Sequence, residues 1–290
     1  MIISDISSRR VLIAGIVRNV ETTLETDIAR FKEVFAGFEA IKFFLVESDS
    51  TDASLLKLEY LRSVDSNFAF TSLGSLESQF STRTERLAHA RNVYLQAFES
   101  KKEYEDIEIL AVADFNDLNK LLKRQSVEEV FIDSYWSVRT ANQSGPYYDI
   151  WALRHPIWSP NDCWQTLDFL RQYGKFPELA LYASVNSRMV KIPRNSPPII
   201  VDSAFGGFGI YKREAIVGKR YSGIEASTGK AVCEHVPLNQ SITREGFIIE
   251  VYPHLINLYK TDHTYRFGSL RSILRIFRYL PKYLTKILKS

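Results

Sequence analysis

The 290 residues hold only two cysteines, Cys163 and Cys233. They stand far apart, with neither metal-knuckle spacing nor a disulfide framework. Two reduced thiols in a cytosolic protein is the reading this gives. Long apolar runs are missing as well. Val11–Val17, near the N-terminus, ends at Arg18 and Asn19, while a spanning helix needs about 20 apolar residues. No convincing cleavage site follows, so neither a signal peptide nor a spanning segment is expected. Internal repeats and low-complexity stretches are also absent.

Charge of one sign is scarce in the body of the chain. The net charge is +3, yet seven Lys/Arg and no Asp/Glu fall between Arg266 and Ser290. That leaves residues 1–265 at about −4 by the same count. A nucleic-acid-binding body carries the opposite sign, so no nucleic-acid partner is expected. Hydrophobic residues make up 45%, enough for a sizeable core.

The pattern that is present is α/β. Val11–Val17 and Ile41–Val46 read as buried parallel strands. A helical spacing runs from Glu21 to Phe38 between them, and another helix from Ala53 to about Arg62. Arg83–Ser100 is helical and Glu108–Ala113 is a third strand. Leu118–Lys123 is read as a short helix and Val130–Ile132 as a strand. Tyr135–Pro160 reads as an aromatic loop, Thr166–Tyr173 as a helix, and Ile199–Val201 and Phe247–Val251 as strands. Strands alternating with helices favour a doubly wound sheet. The division expected is one domain over residues 1–265 and a tail over 266–290.

Several clusters carry chemistry. Asp114-Phe115-Asn116-Asp117 follows a buried strand, at the end of the sheet where ligands sit. Oxygen ligands there suit Mg²⁺ or Mn²⁺, and a cation bridging two phosphates would stabilise a departing diphosphate. The same residues also suit a helix cap. Glu47-Ser48-Asp49-Ser50-Thr51-Asp52 follows the second strand. Asp49 there suits a ribose or base contact, and Asp52 a helix cap. The glycines of Phe205-Gly206-Gly207-Phe208-Gly209 allow either close approach to a ligand or a tight turn. Cys233-Glu234-His235 supplies Glu234, a general-base candidate. His235 or His254 would be a third metal ligand, or a hydrogen-bonded structural residue. Arg83, Arg86, Arg91 and Asn92 share one helix, either as a phosphate clamp or as a solvated face.

Taken in order, these motifs resemble a known family. The series is Arg18-Asn19 after a strand, Val46-Glu47-Ser48-Asp49-Ser50-Thr51-Asp52, and Arg86-Leu87-Ala88 with Ala90-Arg91-Asn92. Then come the Asp/Asn/Asp cluster, Tyr148-Asp149-Ile150-Trp151-Ala152-Leu153-Arg154, the glycine loop and Cys233-Glu234-His235-Val236. This is similar to GT-A glycosyltransferases, in particular the fungal capsule-associated α-1,3-mannosyltransferase group and its bacterial relatives. The resemblance covers about residues 11 to 260. It implies a GT-A fold: a Rossmann-like, mixed and mostly parallel sheet flanked by helices. It implies a metal-dependent transferase using a GDP- or UDP-sugar with Mn²⁺ or Mg²⁺.

By the same resemblance Asp114, Asn116 and Asp117 take the place of the D-x-D-type motif, with Asn where a strict motif has Asp. Glu47 and Asp49 would sit near the nucleoside, and Arg86 and Arg91 beside the donor diphosphate or ribose. Gly206, Gly207, Asp149 and Arg154 would serve the acceptor side. Glu234 would face the acceptor, and His254, with His235 as its rival, would complete the metal site. A nucleotidyltransferase is the main enzymatic alternative, but it would need glycines where Arg18-Asn19-Val20-Glu21 stands. A membrane-bound scaffold of the same fold is the non-catalytic one.

The tail alternates Leu270, Ile273, Leu274, Phe277, Leu280, Leu284, Ile287 and Leu288 with six Lys/Arg. That is a basic amphipathic helix, suited to an anionic membrane surface. A cytoplasmic protein, peripheral at the inner face of the membrane and acting on a lipid-linked saccharide, is the resulting expectation.

Overall fold

The computed structural model describes residues 6–262 and 264. The order of elements begins with β1 (Arg10–Val17), α1 (Leu24–Val34), β2 (Ala40–Glu47), α2 (Ser54–Val64), β3 (Phe68–Ser72), α3 (Arg83–Ser100) and β4 (Ile109–Ala113). It continues with α4 (Arg124–Val130), β5 (Val138–Gln143), α5 (Cys163–Tyr173), α6 (Ala180–Ser184), β6 (Ile199–Ile200), β7 (Phe208–Lys212), α7 (Arg213–Ile216), α8 (His235–Arg244) and β8 (Ile249–Leu258).

The strands form one sheet in the order β3-β2-β1-β4-β7-β5-β8-β6. β3, β2, β1 and β4 run parallel. β7 enters antiparallel between β4 and β5, β8 lies parallel to β5, and β6 is antiparallel to β8. The expected mixed, mostly parallel sheet flanked by helices is thus what the chain forms.

Side-chain alternation on each strand loads both faces. Leu12, Ala14, Leu110 and Val112 pack with Tyr94, Leu95 and Phe98 of α3 and with Leu238 and Ile242 of α8. Val11, Ile13, Ile109 and Ala111 turn to the other face, against Ile28 and Phe31 of α1, Leu58 of α2 and Val127 of α4. Burial on both faces explains why these strands read as continuous apolar runs.

Several expectations change. Leu118–Lys123 forms turns rather than a helix, and the helix comes next, at Arg124–Val130, over the start of the segment read as a strand. β3 was not expected. β5 lies within the segment expected to be a loop, because its sequence, Val-Arg-Thr-Ala-Asn-Gln, is mostly polar. Those polar side chains are nonetheless buried, and their partners lie inside the protein. Arg139 binds Glu250 at 2.9 Å, and Asn142 donates to the carbonyls of Ile192 and Pro253. α8, also unexpected, takes Pro237 in its first turn, where no helical N–H is needed. The amphipathic tail lies outside the described residues. Among the described residues, no helix is long and apolar enough to cross a membrane.

Candidate active site

The carboxyl ends of β1, β2 and β4 open into a cleft of about 800 Å³. Strand-end loops supply its chemistry, as the parallel arrangement requires. The turns after β1 and β2 are stitched together: Asn19 accepts from the Thr51 N–H at 2.8 Å, and Ser54 Oγ accepts from the Val20 N–H at 2.7 Å. Asp49 adopts φ 57° and accepts from the N–H groups of Leu76 and Glu77. Burial raises its pKa, but those backbone donors outweigh it and hold it below the ordinary value. Glu47 is buried beneath this loop and tied to the Ser50 N–H and Ser72 Oγ. Asp49 lines the cleft; Glu47 does not.

The loop after β4 is set from below. Its two residues of positive φ, Asn116 at 102° and Asp117 at 58°, are of types that tolerate the left-handed region. Asp27, buried on α1, accepts from both of their N–H groups at 2.8 and 3.1 Å. Burial keeps the Asp27 pKa raised despite those donors. The motif reading missed Asp27; its signal is one carboxylate within the apolar stripe of Leu24, Ile28 and Phe31. Asp117 pairs with Arg30 at 3.2 Å and Lys120 at 3.4 Å.

Asp114 meets the centre of the site. Arg91 donates from Nη2 to Asp114 Oδ1 and from Nε to Glu234 Oε1, each at 3.0 Å. Its guanidinium lies over the rings of Phe205 and Tyr221. Burial lowers the Arg91 pKa, but Tyr94, Asp114 and Glu234 together raise it well above its ordinary value. Arg91 is therefore a fixed cation.

Asp149 faces the same cleft and accepts from the Gly206 N–H at 2.9 Å. Burial pushes its carboxyl up to about 6, with the charges of Asp114 and Glu234 adding to the rise. Gly206 and Gly207 take φ 69° and 86° and form a shelf beneath the site without lining the cleft. The Gly206 carbonyl accepts from Asn257, and the Gly207 carbonyl from the Asp114 N–H at 2.9 Å.

His235 also lines the cleft. It stacks on Phe205, with ring centroids 3.8 Å apart, and both ring nitrogens are buried without a hydrogen-bond partner among the described residues. A buried donor left unpaired costs on the order of 1–3 kcal/mol. Burial and the neighbouring Arg91 pull its pKa well down, so the ring is neutral. His254 lies elsewhere: its Nδ1 is 3.0 Å from Glu129, and it does not line the cleft. Arg154, expected on the acceptor side, donates to Asp162 at the start of α5 and to the carbonyls of Trp151 and Leu153, and does not line the cleft.

Cations surround the mouth. Arg86 donates to the Phe80 carbonyl, and Arg18 pairs with Glu77. Arg83, Lys120 and Lys260 also line the cleft. Sequence patterning did not single out Lys120 or Lys260, because each follows a strand end alone rather than in a motif.

Among the described residues, no group of three or more His, Cys, Asp and Glu side chains is placed to hold a metal ion. A Mg²⁺-like ion does not require one, since it binds through one or two carboxylates plus water and substrate phosphates. Asp114 and Asp117 line the cleft with side chains 29% and 43% exposed. Their oxygen chemistry suits such an ion, and Asn116 adds a carbonyl.

No family model matches the sequence, and no curated protein matches it. Solved structures with a similar fold include a mannosyltransferase from Pyrobaculum calidifontis in complex with GDP-Man and Mn²⁺. It is 13% identical with a TM-score of 0.44, and the match covers 98% of this chain and 65% of that one. Glucosyl-3-phosphoglycerate synthase from Mycobacterium tuberculosis, in complex with UDP, is 12% identical with a TM-score of 0.41, covering 91% and 75%. TarS 1-349 from S. aureus is 12% identical with a TM-score of 0.40, covering 87% and 60%. The chain thus spans less than two thirds of the first and third of these.

Proposed function

We propose that this protein is a GT-A-type glycosyltransferase that moves a hexose from a nucleotide-diphosphate sugar to an acceptor hydroxyl. One observation carries the reading: Arg91 ties Asp114, at the end of β4, to Glu234, at the start of α8, on the wall of a cation-rimmed cleft. A phosphate-binding edge and a carboxylate for a hydroxyl thus meet at one guanidinium.

In this reading Asp49 serves the nucleoside, and Arg18, Arg83, Arg86, Lys120 and Lys260 offset the negative charge of the diphosphate. Asp114, Asn116 and Asp117 would hold Mg²⁺ or Mn²⁺. Such an ion, when bound, stabilises charge on the leaving diphosphate. Glu234 and Asp149 face the transferring sugar and the acceptor. In an inverting reaction Glu234 takes the acceptor proton; a retaining reaction, which the mannosyltransferase resemblance favours, does not need it as a base. The nucleotidyltransferase alternative finds no cradle: the turn after β1 is glycine-free and its amides are already bonded to Ser50, Ser54 and Asp52.

The acceptor proposed is a lipid-linked saccharide of cell-surface glycan synthesis, met at the inner face of the membrane. The one-sign charge of residues 266–290 supports it. Thermal shift with GDP- and UDP-sugars, with and without Mn²⁺, tests the donor site. Stabilisation by one nucleotide class that requires the metal and is lost in Asp117→Ala is expected. No response from a folded protein would remove the donor site and leave a scaffold. Pelleting with anionic vesicles, comparing the full chain with one ending at residue 265, tests the tail.

A further inference from the structure

Glu234 has two neighbours competing for one oxygen. Its Oε1 accepts from Arg91 Nε at 3.0 Å, and His235 Nε2 stands 3.8 Å from the same atom. The first is a hydrogen bond; the second falls short of one. Arg91 and His235 also share their walls. The guanidinium lies 5.2 Å over Phe205 and 5.7 Å over Tyr221. The imidazole stacks on Phe205 at 3.8 Å and meets Tyr221 edge-on at 5.3 Å.

The ring pays for its position with two unpaired nitrogens. A packing role alone would be better met by an apolar ring. A donor that lacks a partner, next to a carboxylate held by something else, is suited to a state in which that other group has moved. The cleft contains the cause of such a move. Among the described residues, Arg91 is the one cation that touches both Asp114 and Glu234, and a diphosphate entering at Asp114 competes for its N–H groups.

We infer that His235 is the positioning residue for Glu234: when the donor diphosphate draws on Arg91, Glu234 passes its hydrogen bond to His235 Nε2–H. This rests on the proposed donor site. Its consequence is an order of events, in which donor binding releases the carboxylate from an ion pair and hands it to a neutral donor. Glu234 is then oriented towards the acceptor without a cation fixed against it. No proton leaves either residue in this exchange.

The test is ring ¹⁵N–¹H spectroscopy of the full chain, titrated with GDP and with UDP in Mg²⁺. His235→Phe, which keeps the stack on Phe205, identifies the signal by its loss; His235→Gln serves if that variant does not fold. The expected result is a downfield move and slowed exchange of the His235 Nε2–H as nucleotide saturates, both abolished in Glu234→Ala. Saturable binding with the His235 signals unchanged would overturn the inference and leave the donor site standing. If neither nucleotide binds, the donor-site reading falls and the inference with it.

Discussion

Arg91 and Glu234 are 143 residues apart in sequence and 3.0 Å apart in space, and the same guanidinium reaches Asp114. This bridge crosses from α3 to the start of α8 over the end of the sheet. Replacing Arg91 with Ala strands a buried carboxylate on Glu234 beside Asp114 and Asp149. Removing one partner of such a pair costs on the order of 3–5 kcal/mol. For a chain of this size that corresponds to a fall in Tm of roughly 6–20 °C. Arg91→Lys keeps the charge but cannot donate to both carboxylates in the fork geometry. Its Tm should fall less, while nucleotide binding falls nearly as far as in Arg91→Ala. Calorimetry of both variants, with and without nucleotide, checks this.

Asp117 offers the opposite balance. Its ion pair with Lys120 is exposed and the one with Arg30 only part-buried, so Asp117→Ala should cost about 1 kcal/mol of stability. If the carboxylate helps to hold an ion beneath a diphosphate, Mn²⁺-supported nucleotide binding should weaken at least tenfold, or about 1.4 kcal/mol. Titration calorimetry in Mn²⁺ and in EDTA separates the two effects. Equal affinity of wild type and variant in Mn²⁺ would take Asp117 out of the site.

His254 is the residue on which motif and geometry diverge most. Its place after a late strand suggests a metal ligand, but β8 carries it to Glu129 on α4. His254→Ala should therefore leave the metal dependence of nucleotide binding unchanged and cost under about 1 kcal/mol of stability. Loss of Mn²⁺-dependent binding in this variant would return His254 to the metal site.

The contrast shows what a linear reading can reach. β1, β2 and β4 were legible because their central residues are buried on both faces and form nearly continuous apolar runs. The loops after β2 and β4 were legible because strand ends in an α/β sheet collect polar residues. β5 was not, since its buried Arg139, Asn142 and Gln143 imitate a surface segment until their partners are known. Asp27 and Lys260 escaped for a related reason. Each reaches the site from a distant element: Asp27 shows only as a lone carboxylate in the apolar stripe of α1, and Lys260 lies in no motif. The Arg91–Glu234 bridge joins two motifs whose residues were both singled out, but only the folded sheet shows that they touch.

Asp149 gives a prediction in pH. Its carboxyl is raised to about 6 by burial and by the nearby carboxylates, from an ordinary value near 3.9. The folded protein therefore holds this proton more tightly than the unfolded chain. The associated stability is fully present below about pH 4 and is lost as pH rises through about 6. Asp149→Asn, which retains an oxygen for the Gly206 N–H, removes that loss. In metal-free buffer the variant should gain stability over wild type between pH 5 and 7.5. Urea midpoints at the two pH values check it. A stability difference between variant and wild type that does not change with pH would show that Asp149 titrates normally.

Gly207 tests the shelf beneath the site. At φ 86° it occupies a region that side chains rarely adopt, and an added Cβ would lie 3.2 Å from the Tyr148 hydroxyl and 3.4 Å from Asn257 Nδ2. Relaxing the backbone instead would move the carbonyl that accepts from the Asp114 N–H. Gly218 provides the control, because it has φ 80° but, among the described residues, nothing within 4 Å of an added Cβ. Gly218→Ala should cost only the backbone strain, roughly 1–2 kcal/mol. Gly207→Ala should cost more than that and should also weaken nucleotide binding, because Asp114 shifts with the shelf. Equal Tm losses in the two variants, with nucleotide affinity intact in both, would show that the shelf does not set the position of Asp114.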